Sequence, residues 1–204
     1  MPDVLPIALV LALLAPVPGA AQAAEEPRQA TAGDYVLDSS TASLVIRLTG
    51  FIGSTTTLRL TKLEGRLHYD PARPEAASVT VSADPRSIQT SHTPVARYAK
   101  TLFEPQKFPI IAFTSTTLTW DGASGDATGD LTFHGVTRPT TLNVSLADAR
   151  RGASPTEERV RFLGRGQLKR SAFGLTQGRP FVGDTVSLSF DLEFVKPPTR
   201  SAQR

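Results

Sequence analysis

Three histidines, His68, His92 and His134, and a complete absence of cysteine bound the chemistry open to this chain. A metal centre draws three or four nitrogen, oxygen or sulfur ligands to one point. His68, in a strand, and His92, in a loop, have no acidic or histidine neighbour at ligand spacing, so we expect no metal site and no cofactor. Without cysteine there is no disulfide, thiolate zinc, iron-sulfur cluster or thiol nucleophile. Serine is plentiful, but no Gly-x-Ser-x-Gly elbow presents one. Asp126 and Asp130, and likewise Glu157 and Glu158, read as loop and solvent-face acids, not as a general acid and base. We therefore expect no catalytic residue and no enzyme.

Two residues stand out for binding. Val160, Phe162, Gly164, Gly166, Leu168, Arg170 and Ala172 share one strand parity, which places the Arg170 guanidinium on an otherwise apolar face. There it could meet a phosphate, carboxylate or quinone oxygen, or else close the fold by an ion pair with Asp38 or Asp184. His134 falls opposite Leu131 and Phe133 and precedes Gly135. It reads as a surface residue steadying a turn, or as a polar contact to a ligand head at a rim.

The elements that must position these residues are strands. Period-2 patterning marks Tyr35 to Leu37, Leu44 to Thr49, Thr57 to Tyr69, Ser78 to Ala83, Ile110 to Trp120, Ala127 to Phe133, Thr140 to Leu146, Val160 to Arg170 and Thr185 to Val195. Pro139 is expected to hold back the seventh of these until after it. In the last, Val186, Leu188, Phe190, Leu192 and Phe194 alternate with Ser187, Ser189, Asp191 and Glu193, giving one dry and one wet face. Two long segments change phase: Leu58 and Leu60 are even but Leu63, Gly65, Leu67 and Tyr69 odd, and Ile111 and Phe113 are odd but Leu118 and Trp120 even. A bulge in each lets a strand bend round a barrel with its apolar side inward. One short helix is expected between Thr93, as its cap, and Pro105, where it would cover one mouth.

These observations predict an all-β fold, a single antiparallel barrel of about eight strands, able to hold one small ligand or to be filled by side chains. Phe113, Phe133, Leu168, Phe190 and Phe194 are expected to line its interior. Phe103 and Phe108 would pack the helix and its exit. Phe173 and Phe181 flank a loop, Gly174 to Gly178, that could gate a mouth. Small inward residues, Gly65, Ala83, Gly164, Gly166 and Ala172, favour room inside, or merely relieve bending.

The chain has 204 residues, 40% of them apolar, enough for one domain with a substantial core. Residues 1–23 read as a signal peptide: Val4 to Val17 is nearly all aliphatic and Ala21-Gln22-Ala23 is a small-x-small cleavage pattern, although the segment before it carries Asp3 and no basic residue. Residues 24–33 read as a flexible leader, 34–196 as the barrel, and 197–204 as a flexible tail. The formal charge is +3, and no aromatics interleave the arginines as on a base-stacking surface. Nucleic acid is not an expected partner. Exposed Leu163 and the loop aromatics leave a monomer or a homodimer open.

Five segments in order and approximate spacing resemble the YceI-like family: Ser87-Ile88-Gln89-Thr90, Phe108 to Thr116, Gly129 to Pro139, Arg170 to Gly174, and Val182 to Val186. The opening Tyr35-Val36-Leu37-Asp38 also fits, so the resemblance spans about residues 34–196. It implies a lipocalin-like barrel, periplasmic or secreted, holding a polyisoprenoid or similar lipid-like molecule in an apolar interior; transient membrane-surface contact is a separate expectation for such a carrier. It implies no general enzymatic activity. Where family members often carry a His-Ser pair this chain has Thr41-Ala42; a further histidine is replaced within Thr49-Gly50-Phe51, and an Arg-Asp-x-His-Leu pattern by Thr93 to Tyr98. Of the recurrent histidines only His134 remains. The competing readings are a filled barrel serving as an interaction or stress-response module, and a barrel isomerase or cyclase of an apolar substrate.

Overall fold

The alternation at the end of the chain becomes the strand on which the barrel closes. Its residues Phe194 and Val195 pair on one side with Val160 and Arg159, and on the other with Leu37 and Val36. The computed structural model of the protein describes residues 30–50, 54–91, 93–151 and 157–197. The expected signal peptide, Phe51, His92 and the tail beyond residue 197 lie outside these.

In chain order the described elements are β1 (Gly33–Leu37), β2 (Ser43–Gly50), β3 (Thr55–Leu60), β4 (Leu63–Tyr69), β5 (Ser78–Ala83), α1 (Thr93–Phe103), β6 (Ile111–Asp121), β7 (Ser124–Phe133), β8 (Val136–Arg151), β9 (Glu158–Lys169) and β10 (Val182–Lys196). Pairing runs β1-β4-β5-β6-β7-β8-β9-β10 and back to β1, antiparallel throughout. Because β2 prolongs β1 along β10, and β3 pairs with β2 as β4 does with β1, the barrel has eight strand positions. Closure removes most of the edge along which another chain could pair.

Both phase changes in the sequence mark bends. The first falls at Thr61-Lys62, between β3 and β4. The second is a register shift in β6 between Ser115 and Thr117, where one extra residue keeps Phe113 and Leu118 both facing inward. A third kink, not read from the sequence, separates β1 from β2. There Asp38 Oδ1 accepts bonds from the Ser40 amide and hydroxyl at 3.1 and 2.5 Å. The Ser40 hydroxyl bond, aided by Arg159, holds the Asp38 carboxyl below its usual range.

Three expectations require correction. β8 begins at Val136, before Pro139, which pairs with Asp130 in the ladder. Pairing of β8 with β9 starts only at Asn143, so at Pro139 the strand has a neighbour on one side alone and tolerates the missing N–H. Arg170 is not in β9 but opens a 3-10 turn, Arg170–Phe173. The end of the expected flexible leader is tied down: the Thr31 amide and hydroxyl donate to Glu158, and Lys196 Nζ donates to Thr31 Oγ1 and the Ala32 carbonyl.

Candidate functional site: the barrel interior

Inward side chains of the strands enclose an apolar cavity in two consecutive sections, of about 150 and 100 Å³. Leu44, Ile111, Leu131 and Leu188 line both, so the sections share a waist. The lower one ends on a floor of aromatic rings in edge-to-face contact. Phe162 meets Tyr69 at 6.2 Å, Trp120 at 6.2 Å and Phe194 at 6.4 Å between centroids, and Tyr69 meets Tyr35 at 6.3 Å. Such pairs gain beyond plain burial and hold the rings rigidly. Below them the Tyr35 hydroxyl donates to the Thr31 carbonyl at 2.7 Å and to Glu158 at 2.9 Å. Burial and the Glu158 carboxylate push the Tyr35 pKa far up, and burial raises that of Tyr69.

The upper section is closed by α1. Phe103 packs edge-to-face on Phe133 at 5.0 Å, and Phe133 lies 5.8 Å from Phe173. Tyr98, Leu102 and Phe103 of the helix face Ile46 and Leu48 of β2 across this space. Leu175 and Gln177, from the segment between β9 and β10, and Val182, which opens β10, complete the rim. A Cβ on Gly178, whose φ is +79°, would stand 3.9 Å from the Tyr98 hydroxyl, so helix and segment come close there. We take this junction as the mouth.

Of the residues singled out from sequence, Phe113, Phe190 and Phe194 line the lower section, and Phe133, Leu168 and Arg170 the upper. Phe173 is buried against Phe133 but borders neither section. His134 also borders neither. With φ of +51°, followed by Gly135 at +74°, it forms the two-residue turn of the β7–β8 hairpin. Its Nε2 lies 2.8 Å from Glu104, just past the end of α1, and its ring 4.3 Å from that of Phe108. His134 thus ties the helix to the turn.

Arg170 is 4% exposed and its donors are already engaged. Nε donates to the Gly183 carbonyl at 2.9 Å, Nη1 to those of Leu175 at 2.6 Å and Gln177 at 2.7 Å, and Nη2 to that of Val182 at 2.9 Å. Neither expected carboxylate bonds to it. Asp38 bonds to Ser40 and Arg159, whereas Asp184 accepts from the Ser171 amide and hydroxyl at 3.0 and 2.7 Å. The Ser171 hydroxyl bond keeps the Asp184 carboxyl acidic. Arg170 therefore shapes the rim segment by satisfying its carbonyls, a use of the planar fork that leaves at most one N–H for a ligand.

Gly164 and Gly166 do not leave the room inside that was one of the two readings of the inward glycines. A Cβ on Gly164 would lie 1.9 Å from Phe190 Cζ, its partner across the ladder, and one on Gly166 would lie 2.5 Å from Leu142 Cδ2. They are recesses that receive neighbouring side chains. Trp120, Tyr69 and Phe162, which form the floor, were missed as site residues. Their signal was present, since each shares parity with inward neighbours on its own strand.

The comparisons agree with this architecture. A YceI-like domain model matches residues 35–194. A UPF0312 protein of Vibrio cholerae is 31% identical over 156 residues, 73% of this chain and 81% of that protein. Protein YceI of Escherichia coli is 31% identical over 136 residues, 65% of this chain and 70% of the relative. Among solved structures, Burkholderia cenocepacia BcnA superposes with a TM-score of 0.67 at 21% identity, over 77% of this chain and 98% of that one. A polyisoprenoid binding domain from Saccharophagus degradans gives 0.55 at 20% identity, over 80% and 98%. At such identities the two structures speak for the fold alone. With its barrel closed on β10, two bends where the sequence changes phase, and the family model spanning nearly every described strand, the chain belongs to the YceI-like domain family.

Proposed function

We propose that this protein is an exported binding protein that carries or sequesters an isoprenoid-type lipid, such as a polyprenyl chain or a quinone tail, inside its barrel. The observation that carries the reading is the two-section cavity, whose wall offers a ligand almost nothing but hydrocarbon. Each methylene withdrawn from water into such a space gains about 0.8 kcal/mol, so a branched hydrocarbon chain needs no specific polar anchor. The polyisoprenoid-binding domain of Saccharophagus degradans, sharing the fold, supports the choice of ligand. The apolar run Val4 to Val17 supports export to the periplasm or beyond. Binding without turnover fits a lining in which Arg170 is bonded to backbone carbonyls and, among the described residues, no carboxylate or histidine appears.

Native mass spectrometry of the protein from its own host, followed by organic extraction, tests this reading. A stoichiometric prenyl lipid or quinone is the expected release. The filled-barrel interaction module is the second reading, favoured by the way Phe190 and Leu142 occupy the glycine recesses. An empty protein that also ignores added prenyl alcohols would establish it.

A further inference from the structure

The mouth of the upper section differs from the floor end in two respects. It exposes aromatic side chains on both sides, Tyr98 of α1 at 52% and Phe181 of the facing segment at 60%. It is also basic. Residues 93–110 and 174–184 carry Arg97, Lys100, Lys107 and Arg179 against Glu104 and Asp184. At the floor end the sign reverses: Asp34, Asp70, Glu75 and Asp121 stand there against Arg73 and Lys196, and residues 148–158 add Asp148, Glu157 and Glu158 against Arg150 and Arg151. Arg97 and Lys100 are exposed, and neither is paired with a carboxylate among the described residues.

We propose that this rim is a membrane-docking surface, by which the barrel sits mouth-down on a bilayer rich in anionic phospholipid while its ligand enters or leaves. The proposal rests on the reading of the cavity as a lipid site. An isoprenoid chain released through water would lose every contact that favoured its burial, so the mouth must meet another apolar phase. Tyr and Phe suit the headgroup boundary, and arginine and lysine around them are drawn to anionic headgroups. The excess of acid at the floor end orients the molecule, because that end is repelled by the same surface. The Tyr98 hydroxyl also lies beside Gly178 at the junction of helix and segment, so insertion of Tyr98 would act next to the opening.

Hydrogen exchange on the purified chain, with and without vesicles, tests the proposal at the rim itself. With phosphatidylglycerol–phosphatidylcholine vesicles at low salt, amides of 93–103 and 174–183 should slow, and the effect should vanish at high salt or with phosphatidylcholine alone. The triple variant Arg97→Gln/Lys100→Gln/Arg179→Gln should need on the order of 100-fold more anionic lipid. A charge-matched variant away from the mouth, Arg66→Gln/Arg73→Gln/Arg165→Gln, should behave as the parent. Slowing that survives the rim triple, no slowing at all, or slowing that appears without lipid as protein concentration rises would each overturn docking, the last pointing to self-association. Prenyl alcohol uptake without rim protection would sink docking and leave the ligand reading intact. Rim protection without uptake would sink the ligand reading and support docking.

Discussion

Arg170 shows how far a residue's type can mislead when its partners are unknown. A guanidinium on an inward parity suggests a ligand's oxygen, yet four carbonyls of the segment after it consume the charge. Arg170→Lys replaces the fork with a single ammonium and strands at least one buried carbonyl, so we expect a loss of about 3 kcal/mol with prenyl binding retained by the molecules that fold. Thermal melts and a binding titration check both halves; an unaltered melt with lost ligand would return the guanidinium to the ligand. Gly164 makes the opposite point, since its role is to admit the Phe190 ring. Gly164→Ala should destabilise by about 1–3 kcal/mol through overpacking, and adding Phe190→Leu should recover most of it. A harmless single variant would mean that the ring has room elsewhere.

At the scale of elements, the helix and most strands obeyed their sequence, whereas the start of β8 and the contacts of the turns did not. The phase breaks after Leu60 and Phe113 were legible because inward facing is a local property, counted residue by residue. The hairpin turn at His134 was legible only as a glycine signal. That His134 itself adopts φ of +51°, and reaches Glu104, depends on where α1 ends. We expect His134→Asn to be tolerated better than His134→Val, which should cost about 1–2 kcal/mol more because a β-branched side chain resists the left-handed region. Denaturant melts of the two variants decide it, and equal stabilities would show that the turn relaxes to another form. Pro139 was misread for a related reason: whether a strand position has one neighbour or two is fixed by the sheet.

For the whole molecule, the size and electrostatics of the closed barrel govern behaviour. A dry apolar cavity of about 150 Å³ accommodates a six-carbon ring, so the two sections as they stand fit about two isoprene units. Affinity across a series of prenyl alcohols should climb steeply to about that length and more gently beyond it, as further units displace side chains or protrude from the mouth. Equal increments through long chains would show a barrel that opens along its full height. Bonds from Ser40, Ser171 and Arg161 hold Asp38, Asp184 and Asp191 below their ordinary value of 3.8, and bonds from Thr31 and Tyr35 outweigh desolvation to hold Glu158 below 4.5. Groups lowered on folding contribute fully above their unfolded values and lose that contribution as pH falls through the folded ones. The melting temperature should therefore be insensitive to these groups above those values and decline below them. Tyr35 and Tyr69, raised on folding, act in the other direction, and their contribution is fully present below 10.0 and lost as pH rises beyond it. A melt that does not fall below pH 4 would deny these bonds their weight.

The sequence by itself determined that the chain is an antiparallel barrel with bends after Leu60 and Phe113, one helix before Pro105 and an apolar inward face. All of these follow from period-2 or helical spacing and turn chemistry, which covalent geometry sets within a few residues. Only the tertiary structure decided which inward residues surround the cavity, that Phe190 fills Gly164, that Arg170 serves its own loop, and that Tyr98 lies beside Gly178. Those pairings depend on strand register, closure through β10 and the resting place of α1, and a contact between residues far apart in the chain leaves no periodic trace in either of them.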